Sequence, residues 1–215
     1  MNVLFDCFFG TFRLKFKSYL CASRKNKNAR ILHVSCGTYS TFLTMSDGTV
    51  YACGLNNYGQ LGIEGPDIVY SFTKVDTKGC DVRRVFPGQH HTLFLSKDGA
   101  LLSCGRPTYG RLGQKDADVS SDKPCPTIGL VDGLDGAIVA GAAAGLAVSG
   151  CFDENGLVWL WGFGTSNQLG KGDDDDDEVV PRKVAETKKF NGQKTVQIHF
   201  GGQHVSLLCE EKSSG

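Results

Sequence analysis

Short apolar runs separated by polar turns recur along most of the chain. In one unit, the run Thr41 to Met45 is followed by the turn Ser46-Asp47-Gly48 and a second apolar run, Val50 to Cys53. Because Asp-Gly tolerates the positive φ of tight hairpin turns, this pattern predicts two antiparallel strands joined by a turn. No stretch keeps an apolar period of about 3.6 residues over three turns, so little helix is predicted.

A longer motif occurs three times with the same internal spacing. It runs from Asp47 to Gly62, from Asp98 to Gly113 and from Asn155 to Gly170. We expect a recurring leucine in its connecting loop to be buried, and a glycine to end its strand where a side chain would collide with a neighbour. These leucines and glycines are Leu61, Leu112 and Leu169, and Gly54, Gly105 and Gly162.

A second block precedes each motif and begins with Gly37, Gly88, Gly141 and, in a fourth and partial copy, Gly201. This alignment gives the third repeat a few extra residues between Val148 and Gly156. A unit of about 50 residues with strong β content cannot bury its apolar face alone, which predicts the four-stranded blades of a β-propeller. The repeat positions expected to be structural are Gly37, Gly48, Gly54, Gly62, Gly88, His91, Gly99, Gly105, Gly113, Gly141, Gly156, Gly162, Gly170 and Gly201.

The repeats divide the chain into three parts. Residues 1–30 form a divergent basic segment, residues 31–209 contain the repeats, and residues 210–215 are a tail. The expected repeat units are 31–80, 81–135, 136–195 and a partial unit, 196–209. The fold prediction is all-β, a partial β-propeller of about three to four four-stranded blades.

The 215 residues carry 23 basic and 23 acidic side chains, so the net charge is zero. Residues 1–30 hold seven basic residues and one acid, which gives +6, and the remaining 16 basic and 22 acidic residues give −6. A zero net charge argues against bulk attraction to nucleic acid or membranes. A content of 40% hydrophobic and 21% charged residues excludes a disordered chain.

Nine cysteines include no C-x-x-C pair, so we expect reduced, packed thiols and no zinc site. The apolar stretch Val3 to Phe12 has its basic residues after it, which is the wrong order for a secretory signal. No run reaches the length of a membrane span. The chain has no G-x-S-x-G, P-loop or H-E-x-x-H motif, so no hydrolase, transferase or oxidoreductase site, cofactor, metal or small-molecule substrate is predicted.

The repeat blocks resemble those of the regulator of chromosome condensation family, whose signature is a G-x-x-H-T block followed by D-G and, later, G-Q-L-G. The resemblance covers about residues 31–209. Within the family it is nearest to the C-terminal half of the guanine nucleotide exchange factor for the small GTPase Ran, through the runs Gly37–Phe42, Gly88–Thr92 and Tyr109–Gly113. It implies a seven-bladed propeller, Ran binding on one face, exchange without a cofactor, and nuclear association with histones and DNA in chromatin; without the resemblance, a cytoplasmic location would be expected.

The resemblance also marks candidate residues for GTPase contact. It implies a part in exchange for His90 and for His204. Arg106 and Arg111 flank Tyr109 and are candidates for contact with an acidic partner surface. The alternatives are a loop histidine that only satisfies a neighbouring blade, and arginines that are solvated or stack on Tyr109.

Two charged runs have alternative interpretations. The run from Asp173 to Glu178 is a self-repelling, solvated loop or a contact for a basic partner such as a histone tail. The spaced basic residues between Ser23 and Arg30 could form a nuclear signal or a phosphate contact.

The chain supplies about half of a seven-bladed ring, and the blades that wedge against the nucleotide site in the family have no counterpart. Its function is therefore predicted as a Ran exchange factor or a truncated fragment of one, with weak or no activity, or as a non-catalytic propeller scaffold. A truncated gene model, a splice form and a degenerate paralogue all remain open. An open half-propeller predicts association or poor solubility. A closed four-bladed ring is the alternative, and residues 1–22 would then have to finish the last blade.

Overall fold

The computed structural model describes residues 6–9, 12–15, 29–172, 174–185 and 193–211, and for the first two segments it describes the backbone alone. Sixteen strands account for most of these residues. The strands are β1 Asp6–Phe9, β2 Phe12–Lys15, β3 Ile31–Cys36, β4 Ser40–Met45, β5 Val50–Leu55, β6 Ile68–Lys74, β7 Val82–Pro87, β8 His91–Ser96, β9 Leu101–Gly105, β10 Cys125–Leu130, β11 Val139–Ala144, β12 Val148–Asp153, β13 Val158–Gly162, β14 Glu178–Lys183, β15 Gln193–Phe200 and β16 Val205–Glu211.

The strands form three complete antiparallel sheets and two hairpins. The complete sheets are β3–β6, β7–β10 and β11–β14, and in each the strands follow one another in chain order. The hairpins β1–β2 and β15–β16 are separate two-stranded sheets, and β15 begins inside the range assigned above to the third repeat. The predicted all-β partial propeller is confirmed.

Apolar side chains pack between successive sheets. Phe42 of the first sheet and Phe94 of the second meet edge to face, with ring centroids 6.0 Å apart, inside one buried cluster. A second cluster joins the second and third sheets around Leu93 and Trp161. A third cluster joins the third sheet to β15–β16 around Leu160 and Ile198. Each interface between successive sheets therefore buries apolar faces that a single blade could not bury alone.

Each hairpin turn also holds the start of the next sheet. The carbonyl oxygens of Gly48 and Gly99 accept hydrogen bonds from the backbone N–H groups of Val82 and Val139, at 3.3 and 3.0 Å. The corresponding bond at the last interface, from Thr195 to Gly156, is 3.4 Å long. Since these bonds recur with the sheets, the predicted D-G turn fixes the distance between blades as well as the hairpin.

The recurring loop leucine is buried, and the glycine at the end of a third strand lies against a neighbouring backbone. Leu61, Leu112 and Leu169 are 0%, 0% and 3% exposed. Gly105 has φ +119°, and a Cβ there would lie 2.5 Å from the carbonyl oxygen of His90. A side chain at this position would meet both backbone strain and a steric collision.

One part of the repeat alignment was wrong. The first connection of each sheet is closed by a backbone hydrogen bond from a glycine N–H to the carbonyl three residues later, and in the third sheet this bond runs from Gly145 to Val148, at 2.8 Å. Gly141 lies inside β11. With Gly145 in place, the step to the turn glycine Gly156 equals the step from Gly88 to Gly99, so the third repeat has no extra residues there.

The residues that the sequence alignment counted as extra in the third repeat belong instead to the second sheet. They lie in the connection between its last two strands. This connection spans residues 106–124, whereas its equivalent in the first sheet spans 56–67. The alignment failed because Gly141-Ala-Ala-Ala-Gly145 contains two glycines that could begin the block, and only the hydrogen-bonding pattern distinguishes them. His91 is therefore equivalent to Val148, not to Ala144.

Among the described residues the only helical segment is the 3-10 turn Thr108–Gly110. Within the described ranges, no helix has the length and apolar character that crossing a bilayer requires.

Candidate functional site

Two connections of every complete sheet leave it at the same end, because antiparallel strands alternate in direction. In the first sheet these are residues 37–39 and 56–67, and in the second they are 88–90 and 106–124. The third sheet adds the described residues between β13 and β14, 163–172 and 174–177. We call the surface formed by these connections the loop face.

His90 lies on the loop face between two aromatic rings of the first sheet. The ring centroid of His90 is 5.0 Å from that of Tyr58 and 5.8 Å from that of Tyr39. Burial, together with the positive charges of Arg111 and Arg106, lowers the pKa of His90. Its Nδ1 is buried without a hydrogen-bond partner among the described residues. His90 is therefore a neutral, half-buried imidazole at physiological pH.

Arg106 extends the same row of side chains. Its guanidinium forms a bidentate pair with Asp122, with Nε–Oδ1 and Nη2–Oδ2 distances of 2.6 and 2.7 Å. The guanidinium carbon lies 4.8 Å from the ring centroid of Tyr58. The bond to Asp122 raises the pKa of Arg106 and, reciprocally, lowers that of Asp122. The predicted partner-contact arginine is thus held in place by an internal carboxylate.

Arg111, the second candidate arginine, lies inside the protein and is 1% exposed. Its guanidinium donates to the carbonyl oxygen and the hydroxyl of Thr108, at 2.8 and 3.1 Å. It also donates to the carbonyl oxygen of Leu146 in the third sheet, at 3.2 Å. Burial lowers its pKa to about 10, so it remains charged at neutral pH. Arg111 therefore ties the second sheet to the third.

His91 is fully buried and belongs to the same inter-sheet contact. The hydroxyl of Ser149 donates to the carbonyl oxygen of Arg111 at 2.8 Å, so it accepts from Nε2 of His91 at 2.7 Å. This arrangement places the ring proton on Nε2. Trp161 donates to the same carbonyl at 3.1 Å. Burial, with the charge of Arg111, lowers the pKa of His91 to about 3.

His204 occupies the position equivalent to His91 but is exposed. The difference follows from the architecture, because no sheet among the described residues packs beyond β16. The repeat position is therefore buried only where another sheet follows it.

Sequence reasoning missed the aromatic residues of the loop face as candidates in their own right, which are Tyr39, Tyr58, Tyr109 and Phe163. Tyr109 is 41% exposed and has φ +64°, which is uncommon for a residue with a Cβ. Its ring meets that of Phe163 edge to face at 4.9 Å. The arginine–tyrosine stacking considered above is present for Arg111, which lies 5.2 Å from the centroid of Tyr109. Only the contact with the third sheet distinguishes Tyr109 from an ordinary loop tyrosine.

The acidic loop folds around a buried lysine. The Lys171 side chain is 3% exposed and pairs with Asp174 at 2.8 Å and Glu178 at 3.1 Å. Arg182 contacts the same two carboxylates at 3.2 and 2.8 Å. The bond from Lys171 lowers the pKa of Asp174 to about 2. Part of the loop's negative charge is therefore compensated internally, and exposed Asp175, Asp176 and Asp177 carry charge without an ion pair among the described residues.

Three cysteines are buried in strands of the three complete sheets, Cys53 in β5, Cys104 in β9 and Cys151 in β12. Burial raises the pKa of the last two. Across the described segments, no group of three or more His, Cys, Asp or Glu side chains is arranged to hold a metal ion.

Comparison with protein families matches the chain to the repeat described as "Regulator of chromosome condensation (RCC1) repeat". One model of this repeat matches residues 47–95 and 155–208, and a second matches residues 31–60. Together they cover more than half of the 215 residues.

Similar proteins differ widely in their total length. "Regulator of chromosome condensation" of Xenopus laevis is 32% identical over 199 residues, which are 90% of this chain and 45% of that protein. "E3 ubiquitin-protein ligase HERC2" of Homo sapiens is 30% identical over 80% of this chain, and the match covers 4% of its own length. This chain spans about half the length of the first relative.

A solved structure shows the same architecture. The crystal structure of Prp20p from Saccharomyces cerevisiae, whose study concerns its binding properties to Gsp1p and histones, matches with a TM-score of 0.75. The match is 25% identical and covers 86% of this chain and 44% of Prp20p.

Proposed function

Because the chain belongs to the regulator of chromosome condensation (RCC1) repeat family, we propose that its loop face contacts a small GTPase of the Ran type. It acts in guanine nucleotide exchange, as an exchange factor or as a fragment of one. The observation that carries this proposal is the row formed by Tyr39, His90, Tyr58 and Arg106 on one surface. Its similarity to Prp20p, which was studied for binding to Gsp1p, supports the choice of partner.

Exchange needs no bond chemistry from this surface. A protein that binds the nucleotide-free GTPase more tightly than the loaded form shifts the equilibrium toward release, and the shift is limited by that difference in affinity. The aromatic rings of the row and the oriented guanidinium of Arg106 suit binding to a GTPase, because aromatic residues and arginine are enriched at protein interfaces.

His90, His204 and Arg106 are the proposed contact residues. His90 offers a neutral ring, His204 is exposed, and Arg106 is aimed by Tyr58 and Asp122. A carboxylate of the partner would compete with Asp122 for the guanidinium. Arg111 instead supports the loop, because its guanidinium is buried.

We expect this chain to retain binding to Ran better than it retains acceleration of nucleotide exchange. The chain spans 45% of the Xenopus relative, so it presents only part of the surface that a complete ring would offer. We expect measurable binding to nucleotide-free Ran, and release of GDP that is slower than with a full-length exchange factor.

The test measures both quantities with purified Ran. Affinity for nucleotide-free Ran is measured by calorimetry, and release of labelled GDP by stopped-flow fluorescence. His90→Ala and Arg106→Ala should each weaken binding at least fivefold, because each removes a side chain from the row. Tyr70→Ala is the matched control, since Tyr70 is 65% exposed on β6, away from the loop face.

No binding by a folded sample at micromolar concentration would refute the proposal, and so would an equal loss of affinity in the Tyr70→Ala control. Binding without any acceleration of release favours the second candidate function, a non-catalytic scaffold for protein contacts. The match to HERC2, which covers 4% of that ubiquitin ligase, supports that candidate.

We further propose a nuclear location and contact with chromatin through the acidic loop. The study of Prp20p with histones supports this partner class. Asp175 and Asp176 are exposed and can meet a basic tail. Replacing both with Asn should reduce histone binding in a pull-down while leaving affinity for Ran unchanged. A loss of affinity for Ran in the same variant would contradict this division of the surface.

A further inference from the structure

A cavity of about 460 Å³ opens on the loop face between the second and third sheets. One wall belongs to the connection 106–124 of the second sheet, and the other to the end of the acidic loop and the start of β14. Both sheets are complete, so the cavity depends on neither end of the chain. Among the residues that line it are Tyr109, Val119, Ser120, Asp122, Asp177 and Val179.

The length of the connection 106–124 accounts for the first wall. Its equivalent in the first sheet, residues 56–67, is shorter, and the two share the motif that ends at Gly62 and Gly113. The additional residues follow this motif and include Val119 and Ser120. A loop that is extended where it lines a cavity is typical of a binding element, since function is concentrated in such loops.

The second wall is fixed against the same connection. A Cβ at Gly110 would collide with the backbone of Val179, so the connection lies directly on β14. Beside it, Tyr109 holds φ +64°, and its ring packs on Phe163 of the third sheet. Residues with a Cβ adopt this conformation at an energetic cost, and such strain is concentrated at binding sites. The walls are therefore preformed, and a ligand would not have to order them.

The charged side chains that line the cavity are Arg106, Asp122 and Asp177. The carboxylate of Asp122 is occupied by the bidentate pair with Arg106. Oδ1 of Asp177 accepts a hydrogen bond from the backbone N–H of Gly164 at 2.8 Å, and its charge has no ion-pair partner among the described residues. The cavity therefore has a net negative charge, which attracts a cation.

A lysine side chain suits this cavity better than an arginine does. A guanidinium binds most strongly to both oxygens of one carboxylate, and neither Asp122 nor Asp177 has two oxygens free. An ammonium group is a compact charge that needs only one oxygen. Val119 and Val179 offer apolar surface for the methylene groups that carry it.

We propose that this cavity receives a lysine side chain of the GTPase, with its ammonium group beside Asp177. The inference rests on the proposed function, because it names a part of the partner that the loop face recognises. Arg106 borders the cavity, so a carboxylate and an ammonium group of the partner would be recognised at neighbouring positions. Two opposite charges at a fixed spacing determine orientation and specificity more than affinity.

The affinity of charge variants for nucleotide-free Ran tests this assignment. Asp177→Asn keeps an oxygen for the N–H of Gly164 and removes the charge, so binding should weaken about three- to tenfold. Asp116→Asn, the matched control, makes the same change at an exposed site of the connection outside the cavity and should leave affinity unchanged. The difference between the variants should shrink as salt rises from about 0.05 to about 0.5 M, because salt screens partly exposed ion pairs.

Two further measurements examine the cavity itself. Ser120→Lys places an ammonium group of this chain in the cavity and should weaken binding at least as much as Asp177→Asn does. A carbodiimide joins a carboxylate to a nearby lysine amine through an amide bond. In the complex of the wild-type chain with Ran, mass spectrometry should find Asp177 joined to a lysine of Ran.

The possible failures distinguish this inference from the proposed function. Equal affinities of Asp177→Asn and Asp116→Asn, while His90→Ala still weakens binding, would overturn the lysine cavity and leave the proposed function intact. Cross-links of Ran confined to Asp175 and Asp176 would also overturn it. Failure of the folded wild-type chain to bind Ran would refute both.

Discussion

At the scale of single residues, one buried histidine joins two sheets and must stay neutral. His91 donates from Nε2 to Ser149, and that hydroxyl holds the backbone of Arg111. Charging the ring would place a cation in a closed site close to the guanidinium of Arg111, which is why the pKa of His91 is lowered to about 3. The unfolded chain has no such site, so its histidines titrate near 6.5.

The pH dependence of stability follows from this difference. Because the folded pKa of His91 lies below the unfolded value, the unfolded state takes up the proton first as pH falls. Stability is complete above pH 6.5 and falls by about 1.4 kcal/mol per pH unit between 6.5 and 3.

Urea unfolding at pH 7.5 and pH 5 should therefore show a loss of about 2 kcal/mol from this group. His91→Gln, which keeps a side-chain donor and cannot be charged, is the comparison. If the two proteins lose equal stability on acidification, His91 is not the cause.

At the scale of the element, each blade depends on glycines that admit a neighbouring backbone. Gly105 brings β9 against the carbonyl of His90 with φ +119°. Gly65, in a loop of the first sheet, has nearly the same φ, +122°, but a Cβ there would meet nothing within 4 Å. The two positions share a backbone conformation and differ in their surroundings.

Substituting alanine at Gly105 and at Gly65 distinguishes the cost of backbone strain from the cost of a steric collision. Both substitutions incur the cost of a left-handed φ, roughly 1–2 kcal/mol. Gly105→Ala should lose a further 1–3 kcal/mol or so, because the strand must shift away from His90. Equal changes in the free energy of unfolding for the two variants would contradict a steric role for Gly105.

At the scale of the whole molecule, the sheets are not equally protected. The three complete sheets largely bury both faces of their second strands, whereas one face of β16 is exposed. Local stability follows such burial, so β16 should open more readily than β8 or β12.

Hydrogen exchange measures this effect. The amides of β16 should exchange faster than those of β8, because among the described strands β16 pairs on one edge and β8 on both. Equal protection of the two strands would contradict this order of local stability. The comparison between β8 and β16 in one sample removes effects of the solution conditions.

Local features are the ones that the sequence predicts most directly. The turn glycines, the buried leucines and the strand-ending glycines recur at constant spacing, because each is determined by φ or by contacts within its own repeat. The boundary of the third repeat was predicted wrongly, because Gly141 and Gly145 fit the sequence motif equally well. Only a backbone hydrogen bond distinguishes them. The acidic run was interpreted as a solvated loop or a contact for a basic partner, and its buried partner Lys171 became visible only in the folded loop.

By itself, therefore, the sequence determined the repeat, the four-stranded blade and the number of blades, since these depend on short motifs and local backbone preferences. Tertiary structure decided which side chains are available for contact. Arg106 and Arg111 belong to one motif, yet one reaches the loop face and the other is buried, because the third sheet covers only Arg111. His91 and His204 occupy one repeat position and differ for the same reason, since a following sheet covers only His91. Exposure depends on neighbours far away in the sequence, and no local pattern encodes it.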